Sequence, residues 1–93
     1  MKKRGWSDIT IDILESGLAP LTKTRLMYKS NLNYVRFHKY FDDFLRKGLL
    51  EEAEINGGNR KMYVTSKRGR VLLKALRNAQ EIFSETKIPI IGS

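Results

Sequence analysis

The segment NYVRFHKYFDDFLRKG, residues 33–48, leaves the chain little choice of local structure. Phe37, Phe41 and Phe44 recur at steps of four and three, and only a helix puts them on one face. Asn33 stands where a side-chain cap belongs, and Gly48 where a helix closes through a left-handed residue. With the phenylalanines turned inward and Leu45 beside them, Asn33, Val35, Arg36, His38 and Lys39 remain on the outward, N-terminal side. The order of charges is unfavourable. A helix N-terminus acts as a partial positive charge and favours acids by about 0.3–1 kcal/mol per group. Here Arg36, His38 and Lys39 come first, and Asp42 and Asp43 come after them. An anion docked against that end would offset the mismatch.

The same segregation runs through all 93 residues, whose formal net charge is +8. Between Glu15 and Asp42 stand Lys23, Arg25, Lys29, Arg36 and Lys39 with no acid among them. Between Glu54 and Glu81 stand Arg60, Lys61, Lys67, Arg68, Arg70, Lys74 and Arg77, again with none. Asp42, Asp43, Glu51, Glu52 and Glu54 are bunched between these two basic blocks. A field with one positive side attracts nucleic acid or an anionic membrane.

Other classes of protein fit poorly. An apolar fraction of 41% with 30% charged residues fits a folded globular chain. No run approaches the roughly 18 apolar residues of a membrane span. The start MKKRGWSD is basic, but Asp8, Asp12 and Glu15 interrupt the next segment, unlike a signal peptide. Cysteine is absent, which leaves no disulfide or thiolate zinc site and is compatible with a cytoplasmic location. His38 is the sole histidine, too little for a metal centre. Without a nucleophile–base pair, a phosphate-cradling motif or a ligand cluster, neither an enzyme nor a cofactor is expected.

The remaining elements are read from local signals. Residues 7–16 read as a first helix, with Ser7 as cap, Asp8 in the first turn and Ile9, Ile13 and Leu14 on its buried face. The β-branched run within it also fits a strand; helix is the preferred reading. Gly17 ends it and Trp6 would pack ahead of it as a staple. Thr22 caps a short second helix near 23–29 that buries Leu26 and Met27. Two helices joined by a turn of about four residues form a helix-turn-helix, whose second helix enters the major groove. LLEEAEI and KMYVT flank an Asn-Gly-Gly-Asn turn, a hairpin signal. From Ser66 to about Thr86 a fourth helix carries Val71, Leu72, Ala75, Leu76, Ala79, Ile82 and Phe83 in a broad apolar stripe. Residues 87–93 form a tail. The expected fold is mainly α with a small β-hairpin: a winged helix-turn-helix with a C-terminal helix, in one domain.

The motifs add a resemblance. Asn31-Leu32-Asn33 leads into the third helix, Tyr40-Phe41 lies within it, Gly48-Leu49-Leu50 leaves it, and Tyr63, Thr65 and Gly69 come after the hairpin. Across about residues 8–80 the chain resembles the archaeal winged helix-turn-helix family that includes the small dimeric DNA-binding, chromatin-associated proteins of Sulfolobus. The resemblance implies a DNA-binding homodimer joined through its C-terminal helices.

The expected partner is therefore double-stranded DNA. Candidate contacts are Asn33, Arg36, His38 and Lys39 on the third helix, Lys23 and Arg25 on the second, and Asn59, Arg60 and Lys61 on the hairpin. Lys2, Lys3 and Arg4 read equally as a basic arm or as an unstructured terminus. The apolar stripe of the fourth helix is wider than one wall of a small domain covers. One column is thus available to a second copy through Leu72, Leu76, Ala79 and Phe83. A transcriptional regulator or a chromatin-associated, nucleoid protein is expected. The alternatives are a protein-interaction module that offers its basic face to an acidic partner, and an RNA-binding protein.

Overall fold

The computed structural model describes residues 4–54 and 60–84. The turn around Asn59 and the tail at 87–93 lie outside the described residues. The elements are α1 (Trp6–Ser16), β1 (Leu21–Thr22), α2 (Lys23–Ser30), α3 (Tyr34–Arg46), β2 (Leu50–Ala53), β3 (Met62–Thr65) and α4 (Lys67–Ser84).

The phenylalanine ridge of α3 is the centre of the core. Phe37, Phe41 and Phe44 are buried together with Ile9, Ile13, Leu14, Leu26, Leu50 and Leu73. Burying each ring stabilises the fold by roughly 1.5–3 kcal/mol. The helix starts as its sequence dictates, with Asn33 Oδ1 accepting from the Arg36 amide at 2.8 Å. It stops where Gly48 turns to φ +72°. Thr22 caps α2 by accepting from the Arg25 amide, and α2 closes at Asn31, itself left-handed at φ 57°. The second helix runs one residue beyond its expected end.

Three sequence readings of the N-terminal region are corrected. The first helix begins one residue early, at Trp6, after an extended Gly5. Asp8 reaches back to accept from the Gly5 amide at 3.2 Å, which leaves Ser7 inside the first turn. Trp6 is a helical residue and is 64% exposed, so it is no buried staple. Arg4 is neither a free arm nor an unstructured end. Its guanidinium donates to Asp12 Oδ2 at 2.5 Å, to the Ser30 carbonyl at 2.8 Å and to the Asn31 carbonyl at 2.9 Å. It therefore ties α1 to the C-terminal end of α2, where helix carbonyls lack internal partners.

The short strand β1 has no sequence signal of its own, because two residues carry no period. It pairs antiparallel with β3, Leu21 opposite Tyr63 and Thr22 opposite Met62, and β3 pairs on its other side with β2. The sheet order is β1-β3-β2.

Helix α4 starts on a knot of polar contacts. Ser66 Oγ donates to the Gly48 carbonyl at 2.5 Å and accepts from the Gly69 amide at 3.0 Å. Its own amide donates to the Leu49 carbonyl at 3.0 Å. Gly69 passes so close to that carbonyl that a Cβ would lie 2.2 Å from the oxygen. Thr65 is buried and donates through Oγ1 to the Leu14 carbonyl at 2.6 Å. The post-hairpin motif Tyr63, Thr65, Gly69 is thus a set of packing contacts. Farther along, an Arg77–Glu15 ion pair and a Gln80–Asp8 hydrogen bond of 2.8 Å join α4 to α1.

Candidate nucleic-acid interface

Strand register decides which cations meet. Because Thr22 faces Met62, the residues just before β3 stand beside the first turn of α2. Thr22, Lys23, Thr24, Arg25, Arg60 and Lys61 accordingly line one open cleft of about 570 Å³. Lys23 is half-buried with its Nζ 4.8 Å from the centre of the Phe41 ring. Phe41 in turn meets Tyr63 edge-on at 4.9 Å, so α3, α2 and β3 share one contact. The N-terminal end of α2 opens into this cleft, where helix amides and cations together favour an anion.

Lys61 also reaches Glu52 at 3.5 Å. Both side chains are largely exposed, so the pair contributes little and yields easily to a phosphate. Arg25 and Arg60 are exposed.

On α3 the predicted residues divide. Arg36 and Lys39 are exposed on the first two turns. Asn33 is exposed too, but its Oδ1 is committed to the cap. His38 lies against its own helix: Nδ1 donates to the Tyr34 carbonyl at 2.9 Å, and the ring meets that of Tyr34 at a tilt of 34° with centroids 4.0 Å apart. That bond places a proton on Nδ1, since a carbonyl can only accept. Lys39 borders a hollow with Tyr40, Asp42, Asp43 and Arg46, so the acids lie nearer to it than their sequence order implied. Asp43 is neutralised locally. The hydrogen-bonded Lys47 ammonium, at 2.9 Å, and Arg46, at 3.0 Å, hold its carboxyl below the ordinary carboxylate range.

The residues proposed for pairing between copies also divide. Leu72 and Leu76 are half-buried against the core. Ala79 and Phe83 are exposed, as are Val71, Ala75 and Ile82. Sequence reasoning assigned nothing to Thr24, which lines the cleft; it placed Val35, which is 72% exposed, on the outward side of α3 but did not name it as a contact. Alternation of Thr and cation in Thr22-Lys23-Thr24-Arg25 was the available signal for the first. An unburied β-branched residue was the signal for the second.

A helix-turn-helix followed by a two-stranded ribbon and a closing helix is a winged helix. The chain belongs to the winged helix-turn-helix family, whose model matches residues 3–84. Among solved structures it is similar to Sso10a-2, a DNA-binding protein from Sulfolobus solfataricus, with a TM-score of 0.76 and 28% identity. That match covers 90% of this chain and 86% of the other. SSV1 F-93 shares the fold at a TM-score of 0.64 and 13% identity, over 91% of this chain and 97% of its own. A MarR family transcriptional regulator from Silicibacter pomeroyi shares it at 0.63 and 18%, over 84% of this chain and 57% of its own. No protein of curated function matches the chain in sequence. Among the described residues no helix is long and apolar enough to cross a membrane.

Proposed function

We propose that the chain binds double-stranded DNA as a homodimer and acts as a transcriptional regulator or a chromatin-associated nucleoid protein. One observation carries the reading. Cations far apart in sequence, Lys23 and Arg25 on α2 and Arg60 and Lys61 at the wing, line a single cleft that touches α3 where Lys23 lies over the Phe41 ring. Sso10a-2, at 28% identity over most of both chains, is a DNA-binding protein, which supports the same reading.

On this reading α3 enters the major groove while the cleft at the wing grips the flanking backbone. Arg36 and Lys39 contact phosphate or guanine, and their place at the unfavourable end of a helix dipole is explained by the anion they meet. His38, and Asn59 outside the described residues, are assigned DNA contacts on the same reading. Pairing uses the side of α4 that carries Phe83, Ala79, Leu72 and Leu76, and it sets two recognition helices about 34 Å apart or at a multiple of that distance.

Fluorescence anisotropy with a random-sequence duplex tests the DNA half. Wild type should bind at low salt, and Arg60→Glu with Lys61→Glu should weaken it at least about tenfold. Absence of wild-type binding at low salt would remove the reading. Sedimentation of wild type and Phe83→Glu tests the dimer: a dimer that the substitution dissociates is expected, and a wild-type monomer contradicts it.

A further inference from the structure

Val35 is the exposed aliphatic residue of α3. At 100° per residue it lies about 200° from Phe37, on the side opposite the buried ridge, one turn before Lys39. It is 72% exposed and is not among the half-buried residues packed against the core. Its neighbour Tyr34 is also exposed, but that ring is engaged with His38. Nothing in the fold requires a valine here. It buries nothing, and β-branching lowers helix propensity relative to alanine.

We propose that Val35 is a specificity-determining residue whose side chain takes up the C5 methyl group of a pyrimidine in the major groove. This rests on the duplex-DNA reading of the basic face. The chemistry is restrictive. Valine has no donor or acceptor, so it cannot read the hydrogen-bonding edge of any base. The floor of the major groove offers one apolar group, the thymine C5 methyl, and apolar side chains recognise it by contact. Arg36 follows Val35 directly and Lys39 lies one turn on, so the charged groups that would hold phosphates flank the one group that would sense a methyl. A cytosine or guanine facing Val35 would leave a polar edge unpaired, which costs affinity. Thymine and 5-methylcytosine present the same methyl, so both are sources of this contact.

The test compares wild type and Val35→Ala on duplexes of about two helical turns, by anisotropy at fixed salt. One probe is alternating dA·dT and its match carries deoxyuridine for thymidine, which removes only the C5 methyl. Alanine favours the helix, so the variant folds, and its far-ultraviolet circular dichroism confirms that. Wild type should bind the uridine duplex about fourfold more weakly per methyl in contact, and Val35→Ala, which keeps only Cβ, should show a smaller difference between the two duplexes. A second pair, alternating dG·dC with and without 5-methylcytosine, names the source. Given the first difference, tighter binding to the methylated duplex supports a contact to any C5-methyl pyrimidine, and equal binding supports a contact to thymine. Equal wild-type binding to the thymidine and uridine duplexes overturns the inference while duplex binding stands, as does an unchanged uridine penalty in Val35→Ala. No binding to any of the duplexes removes both readings together.

Discussion

Replacing Gly69 by alanine sets two effects of opposite sign against each other. Gly69 is the third residue of an 18-residue helix, and helix propensity alone predicts that alanine gains about 1 kcal/mol. The structure predicts the reverse. The new Cβ would sit 2.2 Å from the Leu49 carbonyl oxygen and 2.7 Å from Thr65 Cγ2, where real Cβ atoms keep at least 3.0 Å. Neither neighbour gives way cheaply. The Leu49 carbonyl is backbone and accepts the Ser66 amide at 3.0 Å, and Thr65 is buried with its hydroxyl bound to the Leu14 carbonyl. Stretching that buried amide bond costs about 1–3 kcal/mol, and overpacking adds about 1–3 kcal/mol more. The propensity gain offsets part of this, leaving a net loss of about 1–5 kcal/mol, or roughly 4–40 °C in Tm for a domain of this size. Urea denaturation monitored by circular dichroism at fixed chain concentration measures it: the midpoint should fall with the slope unchanged. A midpoint that stays or rises would show that α4 does not cross the α3–β2 junction at so short a distance.

The same contacts predict other outcomes. Arg36→Glu with Lys39→Glu should reduce duplex affinity at least about hundredfold. Stability should change by less than about 1 kcal/mol, because an acid at position 36 suits the helix dipole while one at position 39 meets Asp42 and Asp43; a larger loss of stability would mean that these cations support the fold. Arg4→Met should cost about 1–2 kcal/mol in chemical denaturation, since Ser30 and Asn31 lose their donor and Asp12 its partner; an unchanged midpoint would show that the clamp contributes nothing. Asp43 has a lowered folded-state pKa, with the Lys47 hydrogen bond its largest cause, so its contribution to stability is present above the ordinary value and lost as pH falls through the folded one. The Tm difference between wild type and Asp43→Asn should therefore be present at neutral pH and close as pH drops below about 4; a difference independent of pH would contradict the assignment.

Much of the fold was legible because its signals are local. The Phe37, Phe41, Phe44 period, the caps at Thr22 and Asn33 and the stop at Gly48 each lie within a few residues of what they control. What escaped depends on contacts through space. Strand β1 exists because β3 offers it an edge, and two residues have no pattern to read. Ser7 is the better cap by residue type, yet Gly5 takes the position because Asp8 can reach its amide. Arg4 looked like part of a basic tail because its carbonyl partners lie 26 and 27 residues away. Gly69 was visible as a motif residue, but the reason for it is an oxygen of Leu49. At the candidate interface the sequence supplied the cations and their sign. The β1–β3 register, which the sequence did not disclose, brings Arg60 and Lys61 to Lys23 and Arg25.

The most direct test of the proposed DNA-binding surface is the salt dependence of duplex binding by wild type. If Lys23, Arg25, Arg36, Lys39, Arg60 and Lys61 each neutralise one phosphate, the logarithm of the binding constant should fall with the logarithm of salt concentration at a slope of about −5 per protomer. A slope near that value, reduced by roughly 2 in the Arg60→Glu, Lys61→Glu variant, is the predicted result. A shallow slope, or one that the substitutions leave unchanged, would contradict a DNA-binding surface built on this cleft.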